Sequence, residues 1–323
     1  MNYRLVELSA HAYAAQVLPL TESLWAYGRS SETYAAQTTQ LAVTPYGRKS
    51  YRTIALSDGS NMLATFKRYE REARAGAQRL RAIGIGAVFT PQPFRGHGFA
   101  TAMLGMALDD ARAAGIDFAF LFSDIHPQFY KELGFVELAS RSISVRADSL
   151  AAARIDARPI DDHDWSGLRA CFDAMELRRD FALVRTPAVW NWVRTRLTQA
   201  AHLQAHAQQV NLVVRRGRSV AAYVLGRREP RHDAYVVDEF AAADGGAADA
   251  LVPAVLRIGA GDLRRIAGWL PPMPARDALP RGSVRKRNDA VWMIAPLSRG
   301  GNAFVQCAQE SRSADGVWSQ DRI

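Results

Sequence analysis

The spacing of apolar and polar positions changes several times along the chain, and each change marks an element. Residues 3–8 alternate and predict a strand. Residues 11–27 carry Leu18, Leu20 and Leu24 at helical spacing and predict one helix with those leucines on its apolar side. Residues 28–47 are polar and read as mixed helix and loop. Residues 51–56 and 61–69 predict a hairpin, because Asp58-Gly59 lies between them and supplies a tight turn. Residues 78–89 predict a further strand, whose end, Ile83-Gly84-Ile85-Gly86-Ala87-Val88-Phe89, is apolar and interrupted by glycine. A Pro/Gly-rich loop over 90–98 follows. Residues 99–114 form the clearest helix, with Phe99, Met103, Met106 and Ala107 at helical spacing and Gly115 closing it. Residues 118–122 predict a buried strand, 127–133 a short helix ended by Gly134, and 135–145 another strand.

The second half restarts this pattern. Helices are predicted over 161–175 and 187–197, and a hairpin over 210–214 and 219–225. A strand over 234–240, a helix over 246–258 and strands over 264–269 and 289–294 complete it. Hairpin, strand, helix and strand thus occur twice, about 150 residues apart, which predicts two similarly built domains. The boundary is expected near 146–158, giving domains over 1–147 and 148–323. Residues 298–323 are polar and read as a tail, or as a strand over 303–308 that docks elsewhere.

Composition supports two domains. The 323 residues exceed one comfortable core, at roughly 100–200 residues per domain. Hydrophobic residues make up 48% and charged residues 23%, which excludes a disordered chain, a collagen repeat and a coiled-coil rod. No run approaches the ~20 apolar residues of a bilayer span, so no membrane partner is expected. The first ten residues lack the apolar core of a signal peptide. Cys171 and Cys307 cannot build a disulfide framework, and a reducing cytoplasm is the expected setting. The net charge of +9 attracts polyanions: nucleic acid, an acidic membrane or a phosphate-rich cofactor. The densest basic run, Arg281 to Arg287, lacks interleaved aromatics, which disfavours nucleic acid.

The chemistry concentrates where strand 78–89 meets helix 99–114. Gly96 and Gly98 let backbone N–H groups approach a ligand closely. The helix N-terminus adds unsatisfied donors and partial positive charge. Arg95 adds a fixed cation. Together they suit a pyrophosphate; a plain loop closing a helix is the competing reading. The loop lacks both the nucleotide P-loop pattern and Gly-x-Gly-x-x-Gly.

Arg95-Gly96-His97-Gly98-Phe99-Ala100 resembles the Arg/Gln-x-x-Gly-x-Gly/Ala loop of GNAT-family N-acetyltransferases. Phe129-Tyr130-Lys131-Glu132-Leu133-Gly134-Phe135 is similar to their Tyr-x-x-x-Gly-Phe segment, one helix and one strand later. The resemblance covers roughly residues 50–140. The tandem layout resembles two-domain members of the family, including the Eis-like aminoglycoside acetyltransferases. Those carry a further sterol-carrier-like domain, for which the chain is too short at full size.

The resemblance implies an α+β fold of two GNAT-like domains, each a mixed, mostly antiparallel sheet flanked by helices. It implies acetyl-CoA as donor and direct transfer to a primary amine, on a small molecule or a peptide. The pyrophosphate loop falls on Arg95, Gly96, His97, Gly98, Phe99 and Ala100, with Thr101 adjoining. The strand that pairs with the pantetheine arm falls on Ala87, Val88 and Phe89. The end of the next strand falls on Ser123 and Asp124. The tyrosine that protonates the leaving thiolate falls on Tyr130, whose competing reading is a core tyrosine. Glu22, Trp25, Tyr27 and Glu32 fall on the acceptor side, where a solvated helix face competes. The base is not identified. Strand 83–89 has no carboxylate, and the terminal carboxylate at Ile323 competes with a frayed terminus. His126 reads as a turn residue rather than a base.

No metal is expected, because no His/Cys/Asp cluster has ligand spacing. The second half lacks the loop: Asp244 and Asp249 would repel a pyrophosphate there. It is expected to be a degenerate copy that shapes the acceptor pocket or a contact in a homo-oligomer. Trp190, Trp192 and Trp269 are expected in the core. Asp238-Glu239 reads as an inward polar site or an exposed edge, and Cys171 as a buried small hydrophobe. A non-catalytic acyl-CoA-binding regulator or scaffold is the alternative function.

Overall fold

The computed structural model describes residues 3–26, 28–125, 127–200, 207–310 and 316–322. The chain begins with β1 (Arg4–Leu8), α1 (Ala10–Gln16), α2 (Leu18–Trp25), α3 (Ser31–Ala42) and α4 (Pro45–Ser50). It continues with β2 (Tyr51–Ser57), β3 (Met62–Ala75), β4 (Gln78–Phe89), α5 (Phe99–Ala113), β5 (Phe118–Ser123), α6 (Gln128–Lys131) and β6 (Val136–Glu137). Next come β7 (Arg141–Arg146), β8 (Ala157–Pro159), α7 (Trp165–Glu176), β9 (Phe181–Val184), α8 (Pro187–Ala200) and β10 (Gln208–Gln209). The last elements are β11 (Leu212–Arg216), β12 (Ser219–Glu229), β13 (Ala234–Ala242), α9 (Gly245–Ala260), β14 (Arg265–Trp269), β15 (Ser283–Lys286), β16 (Val291–Pro296) and α10 (Arg299–Glu310).

Two sheets result, and the fold is α+β. The first runs β1-β2-β3-β4-β5-β16-β6, with β9 also on β3. Its one parallel pair is β4–β5, joined by α5. The second runs β15-β7-β14-β13-β12-β11-β8, with β10 on β12. Its one parallel pair is β13–β14, joined by α9. Each parallel pair needs a crossover connection, and the helix after the third strand of the repeat supplies it in both halves.

Three local expectations are corrected. The helix expected over 11–27 breaks at Val17, because Pro19 sits in the first turn of α2, where its missing N–H is no loss. Leu18 is buried, but Leu20 and Leu24 are half exposed, so the expected apolar face is only partly a core face. The strand expected over 135–145 is two strands in different sheets. β6 pairs with β16, whereas β7 pairs with β14 and β15. The segment 298–310 is neither tail nor strand. It is α10, which buries Gly300, Gly301, Phe304, Val305 and Ala308 at helical spacing.

The sheets are not contiguous in sequence. The first takes β9 and β16 from beyond residue 147, and the second takes β7 from before it. β16 is buried along nearly its whole length. Its backbone groups therefore need partners on both edges, which β5 and β6 provide.

The C-terminal segment lies between the two sheets. Asp321 approaches Arg71 of β3 at 3.4 Å and Arg185 at 3.0 Å. Arg185 also meets Glu239 of β13 at 2.5 Å. The Tyr223 hydroxyl donates to Glu239, and the Trp318 N–H donates to Asp321. Side chains from β3, β13 and the C-terminal segment thus share one buried charge network. Asp238-Glu239 resolves as an inward polar site for Glu239, which is fully buried. Trp190, Trp192 and Cys171 are buried, while Trp269 is half-buried with the Arg287 guanidinium 3.5 Å from its ring centre.

Candidate active site

β4 pairs in parallel with β5 from Ala82–Phe118 to Ile85–Leu121, and there the ladder stops. β5 continues beside β16 to Ser123, and β4 continues beside β3 to Phe89. The two strands therefore splay. The cause lies in β4: between Thr65–Phe89 and Lys67–Gly86 the register gains one residue, a β-bulge. A bulge bends its strand and ends pairing on one side. Ala87 sits in it at φ 47°, a left-handed conformation that a non-glycine residue rarely adopts. The strand interior 82–85 is buried, but Gly86, Ala87 and Val88 are half-buried, so the β4 backbone becomes accessible at the splay.

The loop beyond the splay delivers α5. Gly96 and Gly98 take φ 80° and 75°, conformations that require glycine here. A Cβ at either position would point into open space, with no atom within 4 Å. The cradle is therefore open on the side where a ligand would sit. Gly98 caps α5 without a side-chain hydrogen bond, which leaves the first N–H groups of the helix without a side-chain partner. Phe99, Ala100 and Thr101 form that first turn, half-buried to exposed. Arg95 is exposed, and its Nε donates to the Thr90 carbonyl at 3.0 Å. His97 Nδ1 donates to the Arg95 carbonyl at 2.9 Å, and its ring stacks on Phe99. His97 thus braces the loop.

Tyr130 lies in α6, packed edge-on against Phe129 and Phe135. It shares one core cluster with Leu121 of β5, and Val88, Phe94 and Phe99 pack against that cluster. Strand end, loop and tyrosine thus contribute to one hydrophobic core. Tyr130 is 7% exposed. Burial, with a smaller contribution from the Asp124 carboxylate, pushes its pKa up to about 12. Ser123 Oγ donates to the Ile125 carbonyl. Asp124 accepts from the Ala290 N–H and pairs with Arg322, so its side chain ties β5 to the C-terminal segment.

On the other face, Trp25 packs edge-on to Phe89, with ring centres 6.2 Å apart. Glu22 is half-buried and accepts from Ser31 Oγ at 2.6 Å. Glu32 is exposed in the first turn of α3. Trp25 alone of these three is seen at the splay. Tyr27, His126 and Ile323 lie outside the described residues.

The model of the acetyltransferase (GNAT) domain family matches residues 16–137. Residues 16–137 belong to the GNAT acetyltransferase family. They hold the bulged strand, the glycine loop, α5, β5 and Tyr130. A GCN5-related N-acetyltransferase from Anabaena variabilis superposes with a TM-score of 0.71 at 14% identity, over 92% of this chain and 73% of that one. Eis1 from Mycobacterium abscessus gives 0.61 at 16%, over 92% and 74%. A tandem GNAT protein from the clavulanic acid biosynthesis pathway gives 0.50 at 12%, over 92% and 99%. These likenesses show the fold. No curated protein matches the chain.

In the GNAT domain one buried side chain escaped the sequence reading. Lys67 of β3 pairs across the ladder with Gly86 at the bulge. It is 4% exposed, donates to Thr53 Oγ1, and places Nζ 3.1 Å from the Tyr13 ring centre. Burial lowers its pKa well below the usual lysine range. The only signal in the sequence was a lysine inside the apolar run 61–69. In the second unit the place of the phosphate loop is taken by Asp244, whose side chain caps α9 by accepting from the Ala247 N–H. Among the described residues, no group of three His, Cys, Asp and Glu side chains is placed to hold a metal. No helix among them is long and apolar enough to cross a membrane.

Proposed function

We propose that the protein transfers the acetyl group of acetyl-CoA to a primary amine, with the splay between β4 and β5 as the donor slot. The observation that carries this reading is the splay itself, continued by an uncapped helix N-terminus behind two left-handed glycines. A pantetheine arm is an amide chain that can hydrogen-bond to the strand edge exposed at Ala87, Val88 and Phe89. The pyrophosphate fits the cradle of Gly96, Gly98 and the first turn of α5, with Arg95 beside it. The unit on the first sheet supplies this site. The unit on the second sheet is a degenerate copy that helps to shape the acceptor side.

In the proposed reaction the neutral amine nitrogen attacks the thioester carbon. The C–S bond breaks, the nitrogen loses one proton and the sulfur gains one. Tyr130 is the proton donor to sulfur. A phenol at about 12 is protonated at neutral pH. A thiol near ~8.5 is more acidic than that phenol, so the transfer is uphill by itself. It becomes favourable only when coupled to loss of the nitrogen proton, which restores the phenol.

The test is thiol release from acetyl-CoA with a panel of amines, comparing wild type with Tyr130→Phe. Turnover that falls about tenfold or more in the variant, with acetyl-CoA binding retained, supports the acid role. Acetyl-CoA binding without turnover on any amine favours the regulator reading. Absence of acetyl-CoA binding removes the donor-slot reading altogether.

A further inference from the structure

A cavity of about 460 Å³ lies where α8, the second sheet and the C-terminal segment meet the helical face of the GNAT domain. Four arginines line it, Arg29, Arg196, Arg227 and Arg322, against two aspartates, Asp238 and Asp289. Three of the arginines are already engaged: Arg29 donates to the Ala26 and Trp25 carbonyls and to Gln37. Arg227 pairs with Asp238 at 3.0 Å and with Glu229 at 2.7 Å, and Arg322 pairs with Asp124. Arg196, half-buried on α8, donates to the Arg322 carbonyl at 2.5 Å. Among the described residues no carboxylate lies within ion-pair distance of its guanidinium. Burial lowers its pKa; the Arg322 and Arg185 cations lower it further, while Tyr69 and Asp238 oppose them. A partly desolvated guanidinium gains from an anionic partner, and its planar fork suits a bidentate anion.

Contacts link the lining of the cavity to both edges of the splay. On the β4 side, Trp25 packs on Phe89, and the Trp25 carbonyl accepts from Arg29 at 2.6 Å. On the β5 side, Asp124 pairs with Arg322 and accepts from the N–H of Ala290, the neighbour of Asp289. The volume suits a small molecule.

We propose that this cavity is the acceptor site and takes a small amine bearing an anionic group, a carboxylate or a phosphate, anchored by Arg196 with its amine toward the splay. The inference rests on the acetyl-transfer reading of the splay. The cavity's lining, four arginines against two aspartates, disfavours polycationic amines as preferred acceptors.

Saturation-transfer NMR on the full chain reads binding without turnover. The probes are two matched pairs: glycylglycine against glycylglycinamide, and phosphoethanolamine against ethanolamine. At least one anionic probe should bind about tenfold or more tighter than its neutral partner, as a charge-assisted pair allows. Which pair shows the preference tells carboxylate from phosphate. Arg196→Gln should abolish the preference and Arg196→Lys should keep it, with both variants checked for an unchanged Tm. Equal binding within both pairs, no binding of either anionic probe, or a preference that survives Arg196→Gln overturns the inference. Loss of the preference in Arg196→Lys as well overturns the role assigned to charge. Thiol release with the same amines should show the same preference in kcat/KM. Turnover that favours neutral amines sinks the acceptor assignment alone. A failure to bind acetyl-CoA sinks the donor slot, while the NMR pairs still report on the anion site.

Discussion

Asp321→Asn should be among the most damaging single-atom changes in the chain. Asp321, Arg71 and Arg185 have side chains 4%, 3% and 0% exposed. Arg185 keeps Glu239 when Asp321 loses its charge, but Arg71 has no other carboxylate within ion-pair distance among the described residues. Breaking a buried pair and stranding one charge costs roughly 3–5 kcal/mol. An asparagine oxygen can still accept a hydrogen bond, so about 3 kcal/mol is expected, a factor of more than ~100 in the folding equilibrium. The assay is urea unfolding near neutral pH, followed by tryptophan fluorescence and circular dichroism. The loss should persist between about 0.1 M and about 1 M salt, because buried pairs are weakly screened. Burial pushes the Asp321 pKa up, but Arg185 and Arg71 more than offset this and hold it below the usual carboxylate range. Its contribution is therefore complete above the unfolded value near ~3.9 and disappears only as pH falls through the lower folded value. The comparison belongs above about pH 7, because burial raises the Glu239 carboxyl to about 7 and its protonation below that would strand Arg185 as well in the variant. Arg71→Met in the Asp321→Asn background should recover most of it, since the stranded charge is gone. A loss below about 1 kcal/mol, or one that vanishes in salt, would refute the idea that this network clamps the two sheets together.

Three further outcomes follow from the same structure. Lys67→Met should stabilise the protein at neutral pH, because burial penalises the charged amine that the unfolded chain carries freely. The gain should shrink as pH rises toward ~10.4, where the unfolded lysine also loses its proton; urea midpoints that differ equally at every pH would disprove this. Gly98→Ala forces an alanine to φ 75° with no neighbour to clash, so it should cost about 1–2 kcal/mol of strain. The same methyl enters the open cradle and should weaken acetyl-CoA binding about tenfold or more in calorimetry; unchanged binding would argue against a phosphate there. With Tyr130 at about 12, the kcat profile should show no loss from tyrosine ionisation below about pH 10, and a falling limb that disappears in Tyr130→Phe at lower pH would contradict that assignment.

The elements of the proposed donor side were readable from the residues in order. A glycine-interrupted apolar strand, two glycines and an amphipathic helix are local features, each set by neighbouring backbone or by helical period; the bulge at Ala87 was not among them. Tyr130 came from a motif, and the structure packs it against Phe129 and Phe135 in the core of the first sheet. Of the acceptor-side residues, only Trp25 was seen to reach the splay.

The sequence by itself determined the two repeated strand-helix units, their hairpins, the phosphate-type loop in the first and the aspartate that replaces it in the second. These depend on residues a few positions apart. The tertiary structure alone decided that β6 and β7 part company and that β16 completes the first sheet. It alone made Asp321 a clamp, Lys67 a buried amine and Arg196 a cation without a carboxylate partner among the described residues. Charge state, burial and pairing at these positions are set by groups across a sheet or a cavity, up to 250 residues away in the chain for Arg71 and Asp321. No local period or turn preference carries that information, because the free energy concerned is that of desolvation and long-range contact.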